Sequence, residues 1–220
     1  MVYGIAAAPA IFQRIIDSLL LGIPGVTVFM DDVLITAKNK ETHLKRLNIV
    51  LSKIQEAGFK LSKTKCEFFQ KSIEYLGHVI DAKGLHKDPK KVDAILKLSA
   101  PTNIVELQSF LGVVNFYRHF IPNMATVASS LYALLPNKFI WGKLQEKAFN
   151  KIKEILAKDD SLAHFDPSVH CKLIVDASPV GLGAILVHRY DSGIERPISF
   201  ASKRLSKAEM KYSQIEKEKR

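Results

Sequence analysis

Asp31 and Asp32 are adjacent carboxylates lying between two short apolar runs, 26–29 and 33–36. An ordinary tight hairpin turn uses Asn-Gly or Asp-Gly, whereas a second Asp in place of glycine sets two like charges together beside a core. Two readings are open. A bound hard cation would offset the repulsion, and Mg²⁺ or Mn²⁺ on oxygen ligands can activate one oxygen and stabilise another during phosphoryl transfer. Alternatively, the pair is a solvated acidic turn. A second acidic candidate, Asp176, ends the run Leu173-Ile174-Val175 among small residues, just before a glycine-bearing turn. The seven histidines show no metal-ligand spacing, and the two cysteines, Cys66 and Cys171, are too few and too distant for a disulfide scaffold or a zinc site. Cys66 reads as a buried thiol. Phe110, Phe116, Tyr117 and Phe120, at helical spacing, read as core rather than as base-stacking platforms, and Phe68-Phe69 as packing.

The elements that must position these groups follow from periodicity and punctuation. Residues 10–20 read as a helix ended by Gly22 to Gly25, and 26–29 and 33–36 as two strands around Asp31-Asp32. A second helix spans about 41–57, with Leu44, Leu47, Leu51 and Ile54 on one stripe and Gly58 as its stop. Residues 74–81 read as one strand closed by Lys83-Gly84. Then come a short helix, 89–98, and a longer one opened by Thr102 or Asn103 and Glu106, running to about Phe120. An amphipathic helix, 144–157, precedes three strands at 172–178, 183–189 and 197–203, and a last helix is expected to start near Ser206. Helix, hairpin, helix and strand in this order predict an α+β architecture.

The chain has 220 residues, 47% apolar and 25% charged, enough for a real core and against disorder. Its net charge of +10 is spread evenly: +3 over residues 1–80, +3 over 81–140 and +4 over 141–220. Such spreading suits a long polyanion tracked by several parts of the chain, and it equally suits a merely soluble basic protein. No run of 18 apolar residues is present, and the first residues lack the cationic start and long apolar core of a secretion signal. No membrane partner and no secretion are expected; an intracellular location, cytoplasmic (in a virus-like particle) or nuclear, is.

Six motifs in order and spacing then resemble the reverse transcriptases of gypsy-like LTR retrotransposons (the Metaviridae type), over essentially the whole chain. They are Met1-Val2-Tyr3-Gly4-Ile5 with Ala8-Pro9 and Phe12-Gln13; Phe29-Met30-Asp31-Asp32; and Glu56 to Leu61 with Lys65 to Phe69 and Tyr75 to Ile80. The others are Leu107 through Met124; Val175 to Ser178 with Gly181 to Leu186; and Tyr212-Ser213 with Glu216-Lys217-Glu218. The resemblance implies a partial right-hand polymerase palm (1–81), a helical thumb (82–136) and an incomplete ribonuclease H-like α/β domain (137–220).

It further implies RNA-directed DNA polymerase activity with an associated ribonuclease H. The catalytic and metal-holding carboxylates would be Asp31 and Asp32 in the palm and Asp176 and Glu218 in the ribonuclease H part, with Glu216 as the alternative to Glu218. Lys219-Arg220 depart from the apolar pair that the family places after that Glu. Tyr3, Gly4, Pro9, Phe12, Phe29 and Met30 would line the nucleotide pocket, and Tyr75, Leu76, Gly77 and His78 would form the primer grip, a hairpin that sets the primer 3′ end. Lys87, Lys90, Lys91 and Arg118 would contact phosphates, unless they are an ordinary solvated face. Mg²⁺ (or Mn²⁺), a template–primer duplex, dNTPs and the rest of a polyprotein are the implied cofactor and partners. The resemblance also places the chain as truncated at both ends, with each metal shell partial, so that alone it is expected to be inactive or nearly so. The alternative is a non-catalytic nucleic-acid-binding remnant of a degenerate retroelement.

Overall fold

A computed structural model describes residues 4–136 and 138–218, the last by its backbone alone. The chain divides into two compact units, Met1–Gln70 and Lys71–Arg220.

In the first unit, α1 (Ala8–Leu20) carries Pro9 in its opening turn, where a missing N–H leaves no helical bond unmade. It leads into an antiparallel hairpin of β1 (Val26–Phe29) and β2 (Asp32–Ile35), paired from Val26 with Ile35 to Phe29 with Asp32. Met30-Asp31 is therefore a two-residue loop, and Asp32 is the first residue of β2. Helix α2 (Lys40–Glu56) is capped by Asn39, whose side chain accepts from the Thr42 N–H at 2.8 Å. Ile16 and Leu20 of α1 meet Val50 and Ile54 of α2 in a small core, with one face of the hairpin against it. The buried stripe of α2 is turned from the expected one, since Leu44 is exposed and Val50 is buried.

The second unit opens with a three-stranded antiparallel sheet, β3 (Ser72–Tyr75), β4 (His78–Asp81) and β5 (Leu85–Lys87). Helix α3 (Pro89–Leu96) is capped by Asp88, and α4 (Ile104–Phe116) by Asn103, which accepts from the Glu106 N–H at 2.9 Å. Of the two candidate caps of α4, Asn103 is the one used; Glu106 reaches back to the Thr102 N–H at 2.8 Å. Two one-turn helices, α5 (Met124–Val127) and α6 (Ser129–Tyr132), precede α7 (Lys143–Ala157). These helices bury Leu107, Phe110, Val114, Tyr117, Leu131, Phe149 and Ile152 in one cluster. A separate antiparallel sheet of β6 (Cys171–Ala177), β7 (Gly181–Arg189) and β8 (Glu195–Arg204) follows, and α8 (Gln214–Glu218) packs on β6.

Several expectations are corrected. Residues 74–81 form a hairpin rather than one strand, because Leu76 (φ 47°) and Gly77 (φ 75°) make the left-handed two-residue turn of type I′ between Tyr75 and His78. The last helix starts at Gln214, not near Ser206. Two Ser-x-x-Glu boxes stand in series: Ser206 with Glu209 closes only a 3₁₀ turn (Glu209–Lys211), and Ser213 with Glu216 starts the helix. Phe68 and Phe69 are exposed rather than packed, Phe116 is 45% exposed while Phe110, Tyr117 and Phe120 are core, and Cys66 is half-buried.

Candidate functional site

The aspartate hairpin is built from its base upward. Gln13, one helical residue beyond Phe12, inserts its carboxamide between α1 and β1: Nε2 donates to the Val28 carbonyl at 3.2 Å, and Oε1 accepts from the Met30 N–H at 2.5 Å. One side chain thus satisfies two backbone groups at the root of the turn. Met30 takes a positive φ of 53°, a conformation that non-glycine residues rarely adopt and that persists only when neighbours enforce it. Asp31 and Asp32 are both exposed, and among the described residues neither carboxylate has a hydrogen-bond or ion-pair partner. Two hard oxygen groups without a neutralising cation fit part of an octahedral Mg²⁺ or Mn²⁺ shell. Among the described residues no group of three or more His, Cys, Asp and Glu converges to complete one.

Around this turn, Phe29 is 50% exposed and Met30 half-buried. Gly4 and Pro9 are exposed, whereas Phe12 packs edge-on against Phe59 at 5.9 Å between centroids, so it belongs to the core of the first unit. Tyr3 lies outside the described residues.

In the second unit, the Tyr75–His78 turn is held by aromatic side chains of α4 and of the 3₁₀ turn (Arg118–Phe120) that follows it. The Tyr117 hydroxyl donates to the Gly77 carbonyl at 3.0 Å. The His78 ring stacks on Phe116 and Phe120, at 5.0 and 5.8 Å between centroids, and meets the edge of Tyr117. Its Nδ1 lies 3.1 Å from the Leu76 carbonyl, which can only accept, so Nδ1 bears the hydrogen. Burial pushes the His78 pKa below its ordinary value, and the Lys91 charge adds to the effect. Burial, with the Asp88 charge nearby, raises the Tyr117 phenol above its ordinary range, so it remains a donor. Gly77 cannot be replaced freely: besides its positive φ, a Cβ there would overlap the Lys91 ammonium and press on the Phe116 ring.

The four candidate phosphate-contacting cations separate into different environments. Lys87 is buried, its ammonium 5.1 Å over the Phe120 ring and 3.4 Å from the Asp160 carbonyl; this withdraws it from the surface and lowers its pKa. Lys90 is exposed and paired with Glu74 at 2.8 Å. Lys91, 5.3 Å over Phe116, and Arg118 are exposed.

Asp176 is an exposed residue of β6, on a strand row with Gly183 and Ser202. The row is braced from α5. The Ala125 N–H donates to the Ser202 hydroxyl at 3.1 Å, Thr126 and Ser178 share a hydrogen bond of 2.8 Å, and the Asn123 carboxamide fills the space that a Cβ on Gly183 would need. Helix α8 is tied to the same strand by the Gln214 amide, which donates to the Ala177 carbonyl at 2.6 Å. Glu216 is engaged by the Ser213 N–H and hydroxyl at the helix start. Glu218 is on α8, and its side chain lies outside the described residues. Sequence reasoning assigned no role to Gln13 and read Tyr117 only as core; nothing in their neighbours, Phe12 and Arg14 or Phe116 and Arg118, marks either as the partner of a distant backbone group.

Comparisons with known proteins agree with one another. Residues 1–80 match the family model described as reverse transcriptase (RNA-dependent DNA polymerase), and residues 141–220 match that described as an RNase H-like domain found in reverse transcriptase. The Tf2-3 and Tf2-7 transposon polyproteins of Schizosaccharomyces pombe are each 36% identical over 222 residues, covering 99% of this chain and 17% of the relative. The chain therefore spans about a sixth of the length of these relatives. Among solved structures, a foamy viral protease-reverse transcriptase in complex with RNA/DNA hybrid is 28% identical with a TM-score of 0.83, covering 99% of this chain and 30% of that one. A foamy viral protease-reverse transcriptase dRH in complex with double-stranded DNA gives 28% and 0.84, with 96% and 38% covered.

Proposed function

Because this chain belongs to the reverse transcriptase and RNase H-like region of gypsy-type retrotransposon polyproteins, we propose that it supplies the metal-binding palm turn, primer grip, thumb and first ribonuclease H carboxylates of an RNA-directed DNA polymerase. The observation that carries this reading is the exposed Asp31-Asp32 pair, without a partner among the described residues, on a turn whose base is fixed by Gln13. In this reading residues 1–81 are palm, 82–136 thumb and 137–220 ribonuclease H-like.

Asp31 and Asp32 would hold Mg²⁺ or Mn²⁺, and Asp176 with Glu218 a second site; Glu216 is the weaker choice because its carboxylate already caps α8. When bound, such an ion supplies charge stabilisation for the transferring phosphoryl group. The chain's own residues do the positioning. Gln13 fixes the backbone from which both carboxylates project, the Tyr75–His78 turn orients the primer end, and Lys90, Lys91 and Arg118 meet phosphates of a template–primer duplex without reading sequence. Gly4, Pro9, Phe29 and Met30 would bound the dNTP, with Phe12 supporting them from the core. The burial of Lys87 speaks for a packing role rather than a phosphate contact.

The test is made in a polyprotein that contains this chain. Asp31→Asn and Asp32→Asn should each lower primer extension by about 10²–10³-fold, the loss seen when a transition-state charge partner is removed. Extension that survives both substitutions would refute the assignment. The isolated chain should bind an RNA–DNA hybrid in a salt-dependent, sequence-independent way; binding indifferent to salt would count against it.

A further inference from the structure

The Leu76-Gly77 turn is held by more than its own hairpin. Leu76 takes the positive φ (47°) that a two-residue type I′ loop demands although it is not glycine, and with its side chain 42% exposed, burial does not help to enforce that conformation. The Gly77 carbonyl lies at the tip of a two-residue loop, yet it is taken by a phenol that is itself completely buried. Tyr117 sits where α4 ends, its ring enclosed by the helical core and flanked by Phe116 and Phe120. His78 fills the gap between those two flanking rings, and the Lys91 ammonium of α3 lies over Phe116. The turn is thus fastened to the helical layer at the carbonyl of its second residue and at the ring that immediately follows.

We propose that Tyr117 is a positioning residue: by binding the Gly77 carbonyl it fixes the Leu76-Gly77 tip to the end of α4, so that a turn whose shape its own hairpin sets is also carried by the helical layer. This rests on the reading of Tyr75–His78 as the primer grip. A hairpin tip that must hold a primer terminus needs its backbone direction fixed without its outer surface being covered. A hydrogen bond from the core side does this and leaves Leu76 outward. The buried phenol has no conformational freedom to lose when the tip docks, so little ordering entropy opposes the bond.

The test uses the full chain with Tyr117→Phe, which keeps the ring and deletes the donor. Hydrogen exchange at Leu76, Gly77 and His78 should accelerate about threefold to tenfold, the scale of one lost hydrogen bond. Tyr132→Phe, a hydroxyl deletion in the same core, should leave those amides unchanged. Bound to an RNA template with a DNA primer ending in 2-aminopurine, the Tyr117→Phe chain should retain affinity within about twofold while the terminal fluorescence changes. Unchanged exchange at 76–78 would overturn the tether. Faster exchange with unaltered terminal fluorescence would overturn the positioning role and leave only a structural bond. A wild-type chain that binds no duplex would overturn the primer-grip reading as well; a variant matching a binding wild type would overturn this inference alone.

Discussion

Two hairpins in this chain solve the same backbone problem by opposite means. The Met30-Asp31 and Leu76-Gly77 loops are both two residues long, and each forces a non-glycine residue to a positive φ. The first is secured at its root by a half-buried carboxamide, Gln13, that bonds to the backbone on both sides of Phe29. The second is secured at its tip by a fully buried phenol, with an imidazole packed between two aromatic rings beside it. The difference follows from what each turn must leave free. In the proposed function the two carboxylates would hold a hard cation and so must stay solvated, and a polar clamp below the loop does not compete for their oxygens. The second loop carries no charge, so a direct contact to its tip costs nothing electrostatically, and a large apolar core is available to supply it.

That contrast is broken or sharpened by substitution. Tyr117→Ala empties a site that is 0% exposed and should cost the second unit about 3–5 kcal/mol by loss of transfer energy and creation of a cavity. Gln13→Ala leaves the Met30 N–H and the Val28 carbonyl unbonded in a partly buried place, and should cost the first unit about 1–3 kcal/mol. Denaturant unfolding, followed by hydrogen exchange resolved to each unit, separates the two. Equal losses would show that both turns depend on core packing. A smaller effect has the opposite sign. Met30→Gly removes a left-handed penalty of about 1–2 kcal/mol against a glycine entropy cost of about 0.5–1 kcal/mol, leaving a net gain below about 1.5 kcal/mol. Loss of stability in Met30→Gly would mean that the Met side chain, and not Gln13, organises the turn.

Much of this was legible in the residues. Apolar runs located both β1–β2 and the three strands of the last sheet: in the last sheet Pro179 and Gly193 mark the turns, whereas between β1 and β2 the break is the acidic pair itself. The Leu76-Gly77 turn was hidden from periodicity, though not from the family resemblance, because leucine is a poor marker of a type I′ loop and Tyr75, Val79 and Ile80 make Glu74 to Asp81 look like one strand. The position of α8 was hidden by a repeated signal: Ser206-x-x-Glu209 and Ser213-x-x-Glu216 are equivalent as sequence, and tertiary packing of Leu205 and Glu209 decides between them. For the site, the carboxylates were visible as an electrostatic anomaly, while the side chains that aim and brace the turns were not. Gln13 and Tyr117 act on backbone groups far away in sequence, 15 and 17 residues for Gln13 and 40 for Tyr117. No local pattern encodes such a pairing. Lys87 failed as a surface cation for the same reason, since its burial against Phe120 is a tertiary event.

The smallest effect concerns protons. Burial disfavours the charged form of folded His78; Lys91 and His119 oppose protonation as well, and of the groups facing it Asp88 favours it, along with the Leu76 carbonyl. Its folded pKa is therefore below the unfolded value of about 6.5. Between these two values the unfolded chain binds more protons than the folded one, so stability is complete above about pH 6.5 and declines as the pH falls, levelling once the folded pKa is passed. Glu209, whose carboxylate is held down to about 2 by Lys203 and by the Ser206 N–H, acts in a different window: its contribution is present above the ordinary glutamate range and is lost only as pH falls towards 2. The two are thus separable by pH. Local exchange at residues 76–78 should become faster from pH 7 to pH 5, after correction for intrinsic rates, while exchange at residues 29–32, where the clamp is an amide that does not titrate, should not. His78→Phe retains a ring between Phe116 and Phe120 and should abolish the acid sensitivity of the 76–78 turn. If the variant and the wild type lose protection in parallel, the imidazole is not what couples that turn to pH, and the difference between the two hairpins reduces to the size of the core beneath them.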